Sequence, residues 1–145
     1  HLIWMGSSER ENGLFYLTKK KLRNYKNVTF IPAQTADYYN YMQMADGFML
    51  TSREEQFGIV MIDAAYLGKP IVAFNSGGPA EFMESGMGIV VKNANPDEFA
   101  EAMKSITNGT VPFLPETSRR RAEQFDVNIH IKHLEKVLED ALGIV

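Results

Sequence analysis

The chain has 145 residues, no cysteine and a formal net charge of −3 at pH 7. This length is enough for one domain with a sizeable core. The absence of cysteine excludes disulfides and thiolate metal sites, and the negative charge gives no reason to expect nucleic acid as a partner. No apolar run reaches the roughly 20 residues of a membrane-spanning helix. We expect a cytoplasmic globular protein, and because His1 already lies in a predicted strand, we expect further sequence upstream.

Apolar runs alternate with helical patterns along the first half of the chain. Residues 1–6 (HLIWMG), 27–32 (NVTFIP) and 47–52 (GFMLTS) are apolar or β-branched and predict strands. Within each of the intervening segments the apolar side chains recur at helical spacing, which predicts helices at residues 13–25, 36–46 and 59–67. Gly68 and then Pro70 follow the last of these, which is a common way for a helix to end.

The same alternation continues as far as residue 107. Strands are predicted at residues 70–75 and 86–91. Between them, the segment 77–85 predicts a short helix that begins with Pro79 at its first position. A helix at 95–107 has Asn95 as its cap and Pro96 at its first position. A linker at 110–116 precedes two terminal helices, at 118–125 and 129–142. In the first of these, Arg119, Arg120 and Arg121 are predicted to be solvated.

These elements predict an α/β protein: a Rossmann-like, doubly wound parallel sheet of about five strands with helices on both faces. In such a sheet the loops after the strands lie along one edge, and ligands bind there. Most methionines, among them Met42, Met44 and Met61, are expected to fill the core. Trp4 is also expected in the core.

Two acids flank a glycine at this predicted edge. Gly58 would begin a helix whose first amides lack partners and whose dipole favours an anion such as phosphate. Glu55 precedes the glycine and Asp63 follows within the helix, so the order is acceptor, anion site, acceptor. A nucleotide sugar fits that order. The alternative is structural: the dipole alone favours Glu55 near a helix start, and Asp63 could pair with Lys69 or face water.

Residues 52–82, SREEQFGIVMIDAAYLGKPIVAFNSGGPAEF, resemble the core signature of group 1 retaining glycosyltransferases of the GT-B fold. That signature has a Glu, seven residues, a second Glu followed by Ala, a Gly-x-Pro-Val strand and a Gly-Gly-x-x-Glu turn. Residues 27–32, 41–52 and 86–103 match the family in order and spacing as well. The sequence departs from the signature at the second acid, which is the shorter Asp63.

The resemblance implies a role for each matching position. Glu55 would bind hydroxyls of the donor sugar and is the candidate catalytic residue, and Asp63 would bind the ribose. The sugar and diphosphate would be held by the main-chain amides of Phe57, Gly58, Ile59 and Val60. The end of the second strand would approach the base through Ile31, Pro32 and Ala33.

The resemblance also places Gly77, Gly78 and Glu81 near the pocket. The two glycines are equally consistent with a simple turn into a helix, and Glu81 is a good capping residue in its own right. Without the resemblance, the favoured interpretation of residues 31–33 is a plain strand end.

The resemblance implies that residues 1–145 are the nucleotide-sugar-binding half of the enzyme. The acceptor domain, the first strand and a basic Arg and Lys would lie upstream, so this chain alone should bind donor weakly and not turn over. No cofactor and no essential metal are expected. Partners would be the nucleotide sugar and a sugar, lipid or protein acceptor. The basic run at residues 19–26 hints at peripheral membrane contact in the parent. A nucleotide-sugar epimerase is a close variant, and a non-catalytic regulatory or partner-binding module is the alternative.

Overall fold

The computed structural model describes residues 1–6, 13–33 and 36–143. The chain forms two units, residues 1–41 and 42–145. Along the described residues five strands alternate with five helices, and two further helices follow. All paired strands are parallel. The predicted α/β class is therefore confirmed. Within the described residues the five strands form a two-stranded and a three-stranded sheet, not one sheet. Apolar runs predict strands, but they do not determine which strands become hydrogen-bonded neighbours.

The first unit contains β1 (Leu2–Met5), α1 (Gly13–Leu22) and β2 (Val28–Ile31). The two strands pair in register from Leu2 opposite Val28 to Met5 opposite Ile31. The Trp4 ring stacks on Phe30 at 5.9 Å and meets the edge of Phe15 at 6.1 Å. Trp4 nevertheless remains 40% exposed, so its predicted core position is only partly correct.

Helix α2 (Tyr38–Met44) spans the boundary between the units. The sheet of the second unit has the order β3 (Phe48–Leu50), β4 (Ile71–Phe74), β5 (Gly88–Val91). The remaining helices are α3 (Ile59–Tyr66), α4 (Gly78–Phe82), α5 (Pro96–Thr107), α6 (Pro115–Glu123) and α7 (Val127–Leu142).

Strand β4 is the centre of the second unit, and all four of its residues are buried. Val72 and Phe74 pack in a cluster with residues of α5, where the rings of Phe74 and Phe99 are 4.7 Å apart. Side chains alternate across a strand, so Ile71 and Ala73 face the opposite side. Helix α3 contacts β3, β4 and α6. Because the sheet is packed in this way, the carboxyl ends of β3 and β4 are held at a defined edge of it.

The residues predicted to begin or end helices do so largely as expected. The side chain of Asn95 caps α5 by accepting from the Asp97 amide at 2.9 Å, and Gly68 follows α3 in the left-handed region with φ 65°. Helix α4 begins one residue earlier than predicted, at Gly78, so Pro79 is its second residue and Glu81 its fourth.

Some predictions for α6 and for the methionines are wrong. Helix α6 begins at Pro115, inside the predicted linker, because proline is well suited to a first helical position. Arg121 is not solvated: its side chain is 22% exposed and packs on α4. Met42 and Met61 are buried as expected, but Met44 is exposed because it lies on the outer face of α2. In the part of the chain that the structure describes, no helix is both long and apolar enough to cross a membrane.

Candidate functional site

The loop after β3 and the turn after β4 meet at one edge of the second unit. Both strands are parallel, so their carboxyl ends share that edge. The Glu55 amide donates to the Ser76 carbonyl at 3.4 Å, and the Gly78 amide donates to the Glu55 carbonyl at 3.3 Å. Glu55 and Gly77 also form an isolated parallel bridge. Two motif segments far apart in sequence are thereby held side by side.

A cleft of about 790 Å³ opens where these segments meet. Four predicted site residues line it: Glu55, Gly77, Gly78 and Glu81. Five further residues line it that were not predicted, namely Arg53, Glu54, Gln56, Asn75 and Ser76. Their place in the sequence could have indicated them, since all five lie in the segments that directly follow the predicted strands β3 and β4.

The amino-terminal end of α3 is uncapped. Its N-cap is Gly58, at φ 78° and ψ 58°, with no side-chain cap hydrogen bond. The Met61 amide donates to the Gly58 carbonyl at 2.8 Å. Among the described residues, no acceptor takes a hydrogen bond from the amides of Phe57, Gly58, Ile59 and Val60. This end therefore presents a group of free donors together with the positive end of the helix dipole.

Both glycine positions have a local structural reason. A Cβ on Gly58 would sit 2.8 Å from Met61 Cε and 3.3 Å from Glu55 Cγ, in a left-handed backbone conformation. A Cβ on Gly78 would fall 2.6 Å from the Gln56 carbonyl oxygen and 2.7 Å from that of Phe57. Gly78 thus permits α4 to approach the backbone of the loop after β3. Close approach here and access to the cleft both require a small residue, so the two interpretations of Gly78 hold together.

The two acids occupy different places. Glu55 is half-buried and lines the cleft, whereas Asp63 is half-buried on α3, one turn beyond Ile59, and does not line it. Lys69, which the sequence offered as an alternative partner of Asp63, donates from Nζ to the Gln43 carbonyl at 2.6 Å. Ile59 and Val60 are exposed at the tip of α3.

The predicted base-binding residues belong to the first unit. Strand β2 ends at Ile31, whose carbonyl accepts from the Gly6 amide at 3.1 Å, and Pro32 and Ala33 follow as exposed residues. Within that unit they form a solvent-accessible strand end. Their role toward a nucleotide base stays a prediction.

Residues 1–125 match the family model described as glycosyl transferases group 1. The chain belongs to this family. The resemblance of residues 52–82 to group 1 glycosyltransferases is therefore confirmed. An uncharacterized glycosyltransferase of Haemophilus influenzae is 31% identical over 143 residues, which is 97% of this chain and 38% of that protein. The chain thus spans about two fifths of the length of this relative.

Solved glycosyltransferase structures share the fold. The sucrose-phosphate synthase of Thermosynechococcus elongatus matches with a TM-score of 0.84 at 20% identity, over 99% of this chain and 39% of that one. Anabaena HepE in complex with UDP-glucose matches with a TM-score of 0.77 at 22% identity, over 95% and 40% of the two chains. At these identities the likeness establishes the architecture of the chain.

Proposed function

We propose that this chain is the donor-binding domain of a retaining glycosyltransferase, which moves a sugar from a nucleotide diphosphate sugar to an acceptor. The observation that carries the proposal is the uncapped tip of α3, which follows Glu55 closely in the chain. Glu55 and the Gly77–Gly78 turn line the cleft, whereas residues 57–60 are not among its lining residues. Membership of the glycosyl transferase family supports it. So does the structural likeness to Anabaena HepE, which was solved with UDP-glucose. Retention of configuration and the extent of the domain, residues 1–145, are part of this proposal.

The chemistry follows from where negative charge develops. As the sugar departs, charge builds on the diphosphate, and the free amides of residues 57–60 can donate to it at the positive end of α3. These donors are already oriented by the helix, so little reorganisation is needed when the bond breaks. The family resemblance implies that an Arg and a Lys of the whole protein would supply the remaining positive charge.

Each side of the diphosphate has a proposed recognition group. Glu55 would accept hydrogen bonds from hydroxyls of the donor sugar, inside the cleft that Glu81 also lines. Asp63 would accept from the ribose hydroxyls. Residues 31–33 would lie toward the base. A carboxylate that accepts from a hydroxyl gives a charge-assisted hydrogen bond, about twice as strong as a neutral one.

Several properties of the whole protein stay predictions. Among the described residues, no three His, Cys, Asp or Glu side chains lie close enough together to hold a metal ion. Independence from metal is a separate prediction, and measuring activity with a chelator tests it. The acceptor, a sugar, lipid or protein, would be held by an upstream domain. The cytoplasmic location is inferred from the lack of cysteine, and peripheral membrane contact from the basic residues 19–26.

The alternative is a non-catalytic module of the same fold that serves regulation or partner binding. The two functions differ in what the cleft binds. Calorimetric titration of the intact protein with UDP, GDP and ADP, and with the glucose ester of each, separates them. Binding of one diphosphate and its sugar ester supports the transferase, and binding of none supports the alternative.

Glu55→Ala tests the assigned role most sharply. Loss of a charged hydrogen bond should weaken binding of the sugar ester by about 10- to 100-fold, with little change for the bare diphosphate. Glu123→Ala is the matched control, because it removes the same charge from an exposed position on α6. Equal losses for both ligands would contradict the role of Glu55.

A further inference from the structure

Arg121, on α6, forms hydrogen bonds with the carboxyl-terminal end of α4. Its Nε donates to the Phe82 carbonyl at 3.0 Å and one terminal nitrogen donates to the Glu81 carbonyl at 2.9 Å. It also lies 3.5 Å from a Glu84 carboxylate oxygen. These carbonyls belong to the last turn of α4, where no intrahelical donor reaches them. A cation at the negative end of the helix dipole is stabilising as well.

The same arginine is part of an aromatic cluster that also contacts the loop after β3. Its guanidinium lies 5.7 Å from the centre of the Phe82 ring and 5.1 Å from that of Phe125. The Phe125 ring in turn is 5.5 Å from Phe82 and 5.3 Å from Phe57. Phe57 immediately precedes Gly58, so Phe125 contacts both the loop after β3 and the end of α4.

Helix α4 and the loop after β3, which both line the cleft, need contacts that hold them in place. Helix α4 has only five residues, and a helix of that length is not stable without tertiary contacts. At its start, α4 is joined to the loop after β3 by the bond from the Gly78 amide to the Glu55 carbonyl. At its end, Arg121 and Phe125 provide the corresponding attachment. The cleft is therefore fixed at both ends of α4, from the sheet edge and from α6.

We propose that Arg121 and Phe125 are positioning residues of the donor cleft: they set the spacing between α4 and the Glu55–Gly58 loop without contacting the ligand. This inference rests on the proposed function only for the identity of the ligand. Neither residue lines the cleft, so their effect on binding is transmitted through Phe57, Glu81 and Phe82.

Arg121→Met tests the proposal, since it keeps an apolar side chain over the rings and removes the charge and all donors. Arg120→Met removes the same charge from the adjacent, exposed position and is the matched control. Amide hydrogen exchange is followed at Glu55, Gly78 and Met83, with the amides of β4 as reference. We expect about tenfold faster exchange at these three amides in Arg121→Met only, and an intermediate rate in Arg121→Lys.

Binding gives the second measurement. Among UDP-glucose, GDP-glucose and ADP-glucose, the ester that the unmodified protein binds should bind Arg121→Met about tenfold more weakly and Arg120→Met equally well. Phe125→Leu, which keeps an apolar side chain, should weaken binding in the same direction if Arg121→Met fails to fold. Exchange that is unchanged, or that rises equally in β4, overturns the proposal, and so does undiminished binding by folded variants. If the unmodified protein binds no ester, the proposed function fails, while the exchange rates still decide whether Arg121 holds the two segments.

Discussion

Gly78→Ala perturbs the closest approach in the site. The added methyl would lie 2.6 Å and 2.7 Å from the carbonyl oxygens of Gln56 and Phe57. Both are backbone atoms, so relief requires movement of the loop or of α4, not a rotamer change. Overpacking of this kind costs about 1–3 kcal/mol, and the smaller conformational freedom of alanine in the unfolded chain offsets about 0.4–1 kcal/mol. We expect the free energy of unfolding to fall by about 1–2 kcal/mol.

Urea unfolding at equilibrium measures this change in stability. Calorimetric titration with the nucleotide-glucose ester that the unmodified protein binds measures the change in affinity. The displaced loop carries Glu55 and the amides of residues 57–60, so affinity should fall by about tenfold or more. Gly109→Ala is the control: Gly109 is left-handed at φ 65°, with no atom within 4 Å of an added methyl. It should cost about 1–2 kcal/mol through backbone strain alone, with affinity unchanged. If Gly78→Ala unfolds within about 0.5 kcal/mol of the unmodified protein and binds as well, the inferred close approach is wrong.

Three further predictions concern other parts of the chain. Asp63→Ala should weaken the bare diphosphate and its sugar ester by equal factors in calorimetry, because both contain the ribose, and a loss confined to the ester would contradict that role. The pKa of Asp126 is lowered below its ordinary value of 3.8, first by the Asn128 backbone amide and then by the Asn128 side chain; the stability it contributes is complete above pH ~4 and is lost as pH falls through the lowered pKa. Asp126→Asn should therefore flatten the acid limb of the unfolding free energy plotted against pH, and an unchanged limb would refute this. Ser118 Oγ is fully buried and has no hydrogen-bond partner among the described residues, so Ser118→Ala should raise the free energy of unfolding by about 1 kcal/mol in urea, whereas a loss of that size would show that the hydroxyl is satisfied.

The sequence-based predictions succeeded where a local signal dictates local structure. Asn95 and Gly68 end or begin helices through their own backbone and side-chain chemistry, so their positions could be read directly. The family signature located Glu55, Gly77 and Gly78, and these residues do meet in one cleft. Their contact follows from parallel strand ends, which is a topological consequence of the predicted alternation.

The failures concern side chains whose environment is set by distant segments. Arg121 looked like one of three solvated arginines, because nothing near it in sequence reveals that α6 packs against α4. Arg53 and Asn75 line the cleft without belonging to the recognised motif positions. Met44 and Met42 have the same side chain on one helix, yet only Met42 is buried. Such distinctions depend on tertiary packing, and a single sequence does not specify it.

The most direct test of the central claim is nuclear magnetic resonance of the isotopically labelled protein during titration with the diphosphate that binds among UDP, GDP and ADP. If the tip of α3 grips the diphosphate, the largest amide shifts will occur at Phe57, Gly58, Ile59 and Val60. Saturable binding that leaves those four amides unshifted, or the absence of binding by all three diphosphates, would contradict the account.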